Sequence, residues 1–424
     1  MRKIINKIYS LAKNGRGLQS ALVHSSGLAI RLGFMLGLAH WTSPEVIGLY
    51  GLTVSIEAVV VYLAGLEFHT FTARRFAKTG ELTKLRMVVS AHRKLLWFSA
   101  PLAAVVGVLA AIIFSLTNDW LVLVLVGILL ASGVVAQELG RYLNLARKPV
   151  NSVFLSVLRA SAWQPFALIA IAANTNKTDN LLSMLVFWAL FTVLGCVWSA
   201  LVLKNILKSK MRINIRYVWR GLKESRAYHG IASLSVLQSN LERFLLQLLL
   251  GPAAVGVFSF FQMLANTLTA LVQTATLNVA LPDLLTWFGQ RNTGRFEYLA
   301  QLRKRILLIS IVSGLLVCGA AIPLTMLLSK NDYLAHIWLL PVLISAQVLL
   351  MWTQPIHLAM YAARYDALLL RIMTGALVAS LMLDFLFINW VGLAGAVVAP
   401  FVVYLSVAFL RVATMRKLVR HKII

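Results

Sequence analysis

The chain has 424 residues, 60% of them apolar and 13% charged, with a formal net charge of +26. An ordinary soluble domain is roughly 45–50% apolar and about 25% charged. A soluble globular protein is therefore excluded, and with it the nucleic-acid partner that so basic a chain would otherwise imply. The only cysteines, Cys196 and Cys318, both fall in apolar stretches, which leaves no basis for a disulfide or metal framework.

Residues 1–17 set Ile4, Ile5, Ile8, Leu11 and Ala12 at helical spacing among five basic residues. That is the pattern of an amphipathic helix lying on the inner leaflet. Twelve apolar stretches follow, near 18–40, 46–68, 95–116, 120–143, 150–173, 181–203, 229–250, 256–281, 306–328, 336–361, 367–388 and 392–412. One helical crossing needs about 20 mostly apolar residues. The expected fold is an all-α polytopic membrane protein of about twelve transmembrane helices. Of the 40 basic residues, 34 fall at or beyond the span ends on the side of the two termini, four lie deeper inside spans, and only Lys177 and Lys330 lie opposite. Positive residues stay on the cytoplasmic side, so both termini are expected there, against an anionic leaflet.

Polar residues at membrane depth are unevenly placed. The first span carries Ser20, His24, Gly27 and Arg31 at spacings of 4, 3 and 4, with Arg31 near mid-depth. The second holds Glu57 near its centre and Glu67 closer to the cytoplasm, with Arg74 and Arg75 beyond. Arg159 lies in the fifth. In the seventh, Ser235, Gln238 and Glu242 share a face, with Arg243 about 100° round. The eighth has a stripe, Gln262, Asn266, Thr269, Gln273 and Thr276, at spacings of 4, 3, 4 and 3. Facing lipid, those groups would lack partners, so the stripe faces protein or water. In the eleventh, Arg371 sits close enough to the inner surface to snorkel, and Asp384 lies towards the outer end.

Ionisable groups inside a bilayer are costly and usually line wet cavities. Two plainer readings compete with that one: a structural salt bridge for Arg159, and interhelical hydrogen bonding for the eighth-span amides. No metal-ligand spacing, phosphate loop or nucleophile elbow is present, so neither an enzyme nor a cofactor is expected.

The chain also repeats itself. Ser43-Pro44-Glu45-Val46-Ile47-Gly48-Leu49-Tyr50 and Gly251-Pro252-Ala253-Ala254-Val255-Gly256-Val257-Phe258 share Pro, a β-branched residue, Gly, an aliphatic and an aromatic in the same places. The offset from Pro44 to Pro252 is 208 residues, close to half the chain. Six helices per repeat make the two lobes parallel, related by a pseudo-two-fold axis along the membrane normal, a known transporter plan. The expected organisation is an N-terminal segment 1–17, a first lobe 18–203, a basic linker 204–228, a second lobe 229–412 and a basic tail 413–424.

Three stretches, 43–77, 241–264 and 391–400, resemble the Wzx-type polysaccharide flippases of the multidrug/oligosaccharidyl-lipid/polysaccharide export superfamily. The likeness runs over essentially the full length. Pro44, Gly48 and Tyr50 match that family's Pro-x-x-x-Gly-x-Tyr turn, and Arg74 or Arg75 its basic residue at the inner end of the second span. Glu242-Arg243 stands where the family commonly has Asp-Arg, and Gly392, Gly395 and Ala396 match the opening of its last span. Phe258 departs from Tyr in the second turn.

The resemblance implies flipping of undecaprenyl-pyrophosphate-linked oligosaccharide across a bacterial inner membrane. That substrate serves O-antigen or other envelope polysaccharide synthesis, alongside other assembly proteins. Two lobes would alternate access to a cationic, polar cavity. Arg31, Arg243 and Arg159 are the pyrophosphate candidates, since arginine offers a fork to phosphate oxygens. His24, Gln262, Asn266 and Gln273 are the sugar candidates, and Arg74 and Arg75 mark the cytoplasmic entrance. Glu57, Glu67, Glu242 and Asp384 are candidates for coupling to a proton or sodium gradient. A cation-coupled drug or metabolite antiporter of the same fold is the alternative. A membrane glycan polymerase or ligase is disfavoured by the short outer turns.

Overall fold

The computed structural model describes residues 16–66, 68, 82–173, 180–207, 215–289, 294–328, 330–363 and 365–420. The amphipathic segment up to residue 15, together with Glu67, Arg74, Arg75 and the His24 side chain, lies outside the described residues. Within them all regular structure is helical.

The helices are α1 (Arg16–Trp41), α2 (Pro44–Gly65), α3 (Leu82–Ile113), α4 (Trp120–Leu145), α5 (Pro149–Ala173) and α6 (Asn180–Val202). Next come α7, in two segments (Ile215–Gln238 and Leu241–Leu249), and α8, also in two (Pro252–Val272 and Asn278–Gly289). The last are α9 (Arg295–Leu328), α10 (Leu339–Ala362), α11 (Asp366–Val391) and α12 (Gly395–Arg420). Among the described residues nine stretches are long and apolar enough to cross a membrane, and the last, Asp366–Leu418, contains both α11 and α12. The remaining two of the twelve are α1 and α7. Charge depresses the first segment of α7, which opens on Arg216, Arg220, Lys223, Glu224 and Arg226.

The surface is apolar where a soluble protein would be polar. Leu327, Trp390 and Phe409 are 79%, 77% and 73% exposed on long helices. Only a hydrocarbon solvent makes such faces stable. Helix ends follow local chemistry. Asp119 opens α4 by accepting a hydrogen bond from the Leu121 amide at 2.9 Å. Gly251, with φ of 86°, turns the chain into α8, whose first residue is Pro252.

Packing divides the chain into two units, Met1–Thr42 with Leu52–His229, and Ser43–Gly51 with Gly230–Ile424. In the first, Leu139, Tyr142 and Leu143 of α4 are buried with Val89, Leu155 and Leu203. In the second, Ala376 of α11 packs with Val403 and Val407 of α12.

The start of α2 joins the second unit because of the repeated turn. A Cβ on Gly48 would lie 1.9 Å from the Pro252 carbonyl oxygen, and one on Gly256 would lie 1.8 Å from the Pro44 oxygen. Each repeat thus lays its glycine on the other's proline, a reciprocal contact of the isologous kind. Backbone touches backbone, and no side chain fits between.

Gly256→Ala is therefore expected to lower stability by about 1–3 kcal/mol or more through overpacking. Gly375 of α11 has open space around its Cα. Gly375→Ala is expected to be neutral or to stabilise by up to about 1 kcal/mol through helix propensity. Thermal unfolding of the purified variants in one detergent checks both directions.

Candidate functional site

The first unit holds a polar interior built on α1, α2, α4, α5 and α6. A π-helical turn at Leu158–Ala162 interrupts α5. Such turns insert a residue and redirect the side chains around them. Here the turn carries Arg159 and Ser161. The Arg159 Nε donates to Glu57 Oε1 at 3.0 Å, and a terminal guanidinium nitrogen completes an ion pair with the same oxygen. Gly133 of α4 leaves room for this pair: a Cβ there would stand 3.4 Å from Glu57 Oε1. From α1, the Arg31 Nε donates to Ser161 Oγ at 2.9 Å. Gly27, one turn earlier, seats α1 against the same part of α5, its Cβ position 3.1 Å from Val157. The face read as Gly27 and Arg31 thus packs onto the π turn.

A second ion pair, Arg141 with the fully buried Glu138, lies on α4 opposite Gly65 of α2. Between the two pairs is a cavity of about 310 Å³, lined by Glu57, Gln137, Arg141, Asn144, Arg159 and Trp188 among others. Trp188 stacks on Trp163 with ring centroids 5.1 Å apart, and Phe34 meets Trp163 edge-on at 5.2 Å. The arrangement presents two guanidiniums, one carboxylate, two amides and an aromatic wall. It suits a polar ligand that needs both donors and acceptors.

In the second unit, Arg243 donates from Nε to Ser259 Oγ at 3.1 Å and from Nη1 to Asn240 Oδ1 at 3.1 Å. Tyr50 lies within electrostatic reach of it. Glu242, next in sequence, faces the interior and is 6% exposed. Asp384 of α11 is fully buried, interacts electrostatically with Glu242, and has no hydrogen-bond partner on either oxygen. One turn away, Gln238 donates to Ser380 Oγ at 3.2 Å. These two rungs join α7 to α11.

The stripe on α8 is partly tied down. Gln262 donates to Asn266 Oδ1 at 3.0 Å, Thr269 donates to Gln347 Oε1 at 3.1 Å, and Gln347 donates to Asn266 Oδ1 at 3.4 Å. Asn266 and Gln273 remain exposed, Gln273 in a second π-helical turn at Gln273–Leu277.

The structure thus brings Glu57 to Arg159, Arg31 to their π turn, Glu242 to Asp384, and Gln262 to Asn266. Arg371 is exposed. Sequence reasoning passed over Gln137, Glu138, Arg141, Asn144 and Gln347. Gln137, Arg141 and Asn144 carry the spacing of 4 and 3 that marks the first and eighth spans, so the signal was present. Among the described residues, no group of three or more His, Cys, Asp or Glu is placed to hold a metal ion.

This architecture is similar in fold to solved transporters of the MOP superfamily, with twelve membrane helices in two lobes. A multidrug-resistance MATE transporter in an inward-facing conformation matches with a TM-score of 0.69 at 15% identity, over 94% of this chain and 97% of its own. The lipid II flippase MurJ in an inward closed conformation gives 0.75 at 12% identity, over 94% and 87%. A superfamily transporter from Pyrococcus furiosus, described as having a binding pocket of reversed polarity, gives 0.62 at 15% identity, over 94% of each chain. No protein-family model and no curated protein matches the sequence.

Breaking the Glu57–Arg159 pair from one side strands a charge in the interior. With side chains 11% and 20% exposed, Glu57→Gln or Arg159→Met is expected to destabilise by about 1–3 kcal/mol, less than a fully dry pair. The double variant is expected to recover much of the loss. A double-mutant cycle on thermal unfolding measures the coupling.

Proposed function

We propose that the protein flips an undecaprenyl-pyrophosphate-linked oligosaccharide from the cytoplasmic to the outer leaflet of a bacterial inner membrane. The product feeds O-antigen or another envelope polysaccharide, handed on to other membrane proteins of that assembly. The observation that carries this reading is the arginine-bearing polar cavity of the first unit, in a fold shared with a flippase of another lipid-linked glycan precursor. Arg31 in the first unit and Arg243 in the second are the pyrophosphate candidates, each able to act as a forked donor. Arg159, held by Glu57, adds field from its π turn. Gln262, Asn266 and Gln273, with His24, contact the sugars, and Arg74 and Arg75 draw the anionic head in from the cytoplasm. The polyprenyl tail stays in the bilayer while alternating access carries the head group across.

A cation gradient drives the cycle. Glu242 and Asp384 take up and release the proton or sodium ion, since Asp384, buried beside Glu242 with neither oxygen hydrogen-bonded, is completed by a cation. Glu57, occupied by Arg159, and Glu67 are secondary candidates. The same fold serves multidrug transporters, so a cation-coupled antiporter is the second reading.

Deleting the gene in its host and measuring lipid-linked oligosaccharide separates the two. Accumulation is expected, and the wild-type chain relieves it; Arg31→Ala at equal membrane abundance is expected to flip at least tenfold more slowly and so to leave the accumulation, the order of about 1.4 kcal/mol of lost binding. Unchanged lipid-linked glycan on deletion would sink the flippase reading and favour the antiporter.

Asp384→Asn tests the coupling. Flipping in proteoliposomes by this variant is expected to lose its response to an imposed proton or sodium gradient. Retention of the full response would remove Asp384 from the coupling site.

A further inference from the structure

A second cavity lies inside the second unit, among α7, α10, α11 and α12, with a volume of about 200 Å³. It sits at the end of the unit where α10 finishes and α12 presents the exposed Arg416 and Lys417. Its lining includes Ser235, Gln238, Gln354, His357, Tyr404 and Arg411. Arg411 is 3% exposed. Its guanidinium reaches only neutral partners. Nη1 donates to Thr353 Oγ1 at 3.2 Å, and Nη2 faces His357 Nδ1 at 3.3 Å and Met373 Sδ at 3.7 Å. The Nε has no partner. Among the described residues no carboxylate lines the cavity. The Glu242–Asp384 pair acts on Tyr404, and none of Arg411's hydrogen bonds reaches it.

A buried guanidinium facing only a hydroxyl, an imidazole nitrogen and a thioether is an uncompensated charge, which costs several kcal/mol in a low-dielectric interior. Two half-buried arginines of this chain show one way such a charge is met: Arg159 by Glu57 and Arg141 by Glu138. Arg411 has a cavity where they have a carboxylate. The cavity is smaller than the roughly 300–1,000 Å³ of sites for drug-sized ligands. That space suits one tetrahedral oxyanion with a few waters. Arginine binds phosphate oxygens through its fork, and the Gln354 amide and the Tyr404 hydroxyl supply further donors.

We propose that this cavity is a phosphoryl-binding site, separate from Arg31 and Arg243, that takes a phosphate oxyanion against Arg411. The group comes either from free phosphate or from the head of an anionic membrane lipid. The assignment holds whichever cargo the protein carries.

Wild-type protein is placed in phosphatidylcholine nanodiscs and its unfolding temperature followed as inorganic phosphate replaces chloride at constant ionic strength. A parallel set contains phosphatidic acid with no added phosphate. A rise of about 2 °C is expected at ten times the dissociation constant. A rise in the first set identifies free phosphate as a ligand; a rise in the second alone identifies the lipid head. In either case the rise is absent in Arg411→Gln and in Gln354→Leu. The second variant keeps the guanidinium while removing the amide donor from the cavity wall, and so carries the test if the first does not fold. No rise in either set, or an equal rise in a folded variant, would overturn the assignment and leave a water-filled cavity.

Discussion

Within a bilayer core a polar side chain has no water to turn to, and that constraint decides how the helices of this chain pack. Glu57 alone on α2 would be untenable, and so would Arg159 alone on α5; together they pin α2 to α5. Gln238 with Ser380, and Glu242 beside Asp384, do the same for α7 and α11. Thr269 and Asn266 meet Gln347 and so join α8 to α10. Apolar packing between helices gains little in lipid, because the tails are as apolar as leucine. Polar contacts therefore carry register information that a soluble core would take from its hydrophobic pattern. The same groups that fix the packing are those available to a ligand.

Glycine does the complementary work where backbones must touch. Gly48 and Gly256 let the two repeated turns cross in reciprocal contact, and Gly27 and Gly133 open space for α1 and for the Glu57–Arg159 pair. The internal repeat read from Pro44 and Pro252 thus corresponds to a physical contact between its two copies. A single added methyl group on either turn glycine would collide with main chain, which cannot move aside as a side chain can.

Span number and helix class were legible because they depend on composition summed along the chain. The first span is the weakest by hydropathy, because it carries His24 and Arg31. Helix rotation was less accessible. Counting by position places Arg411 with the basic tail and Arg141 with the connection after the fourth span, yet Arg411 is buried and Arg141 pairs with buried Glu138. Where a side chain points depends on which neighbours arrive, and one sequence contains that only indirectly. Spacing found the faces of α1 and α8 because several polar residues repeat there. It passed over Gln347 because a lone amide carries no period.

The π-helical turn in α5 has a consequence for motion. It stores one extra residue within a continuous helix, so the strand of hydrogen bonds can absorb or release that residue without breaking the rod. Each residue corresponds to about 100° of rotation. Moving the extra residue along α5 would swing Arg159 away from Glu57 while Trp163 and the outer half stayed in place. The helix thus contains a built-in swivel, located at the one turn that touches Glu57 of α2 and Arg31 of α1.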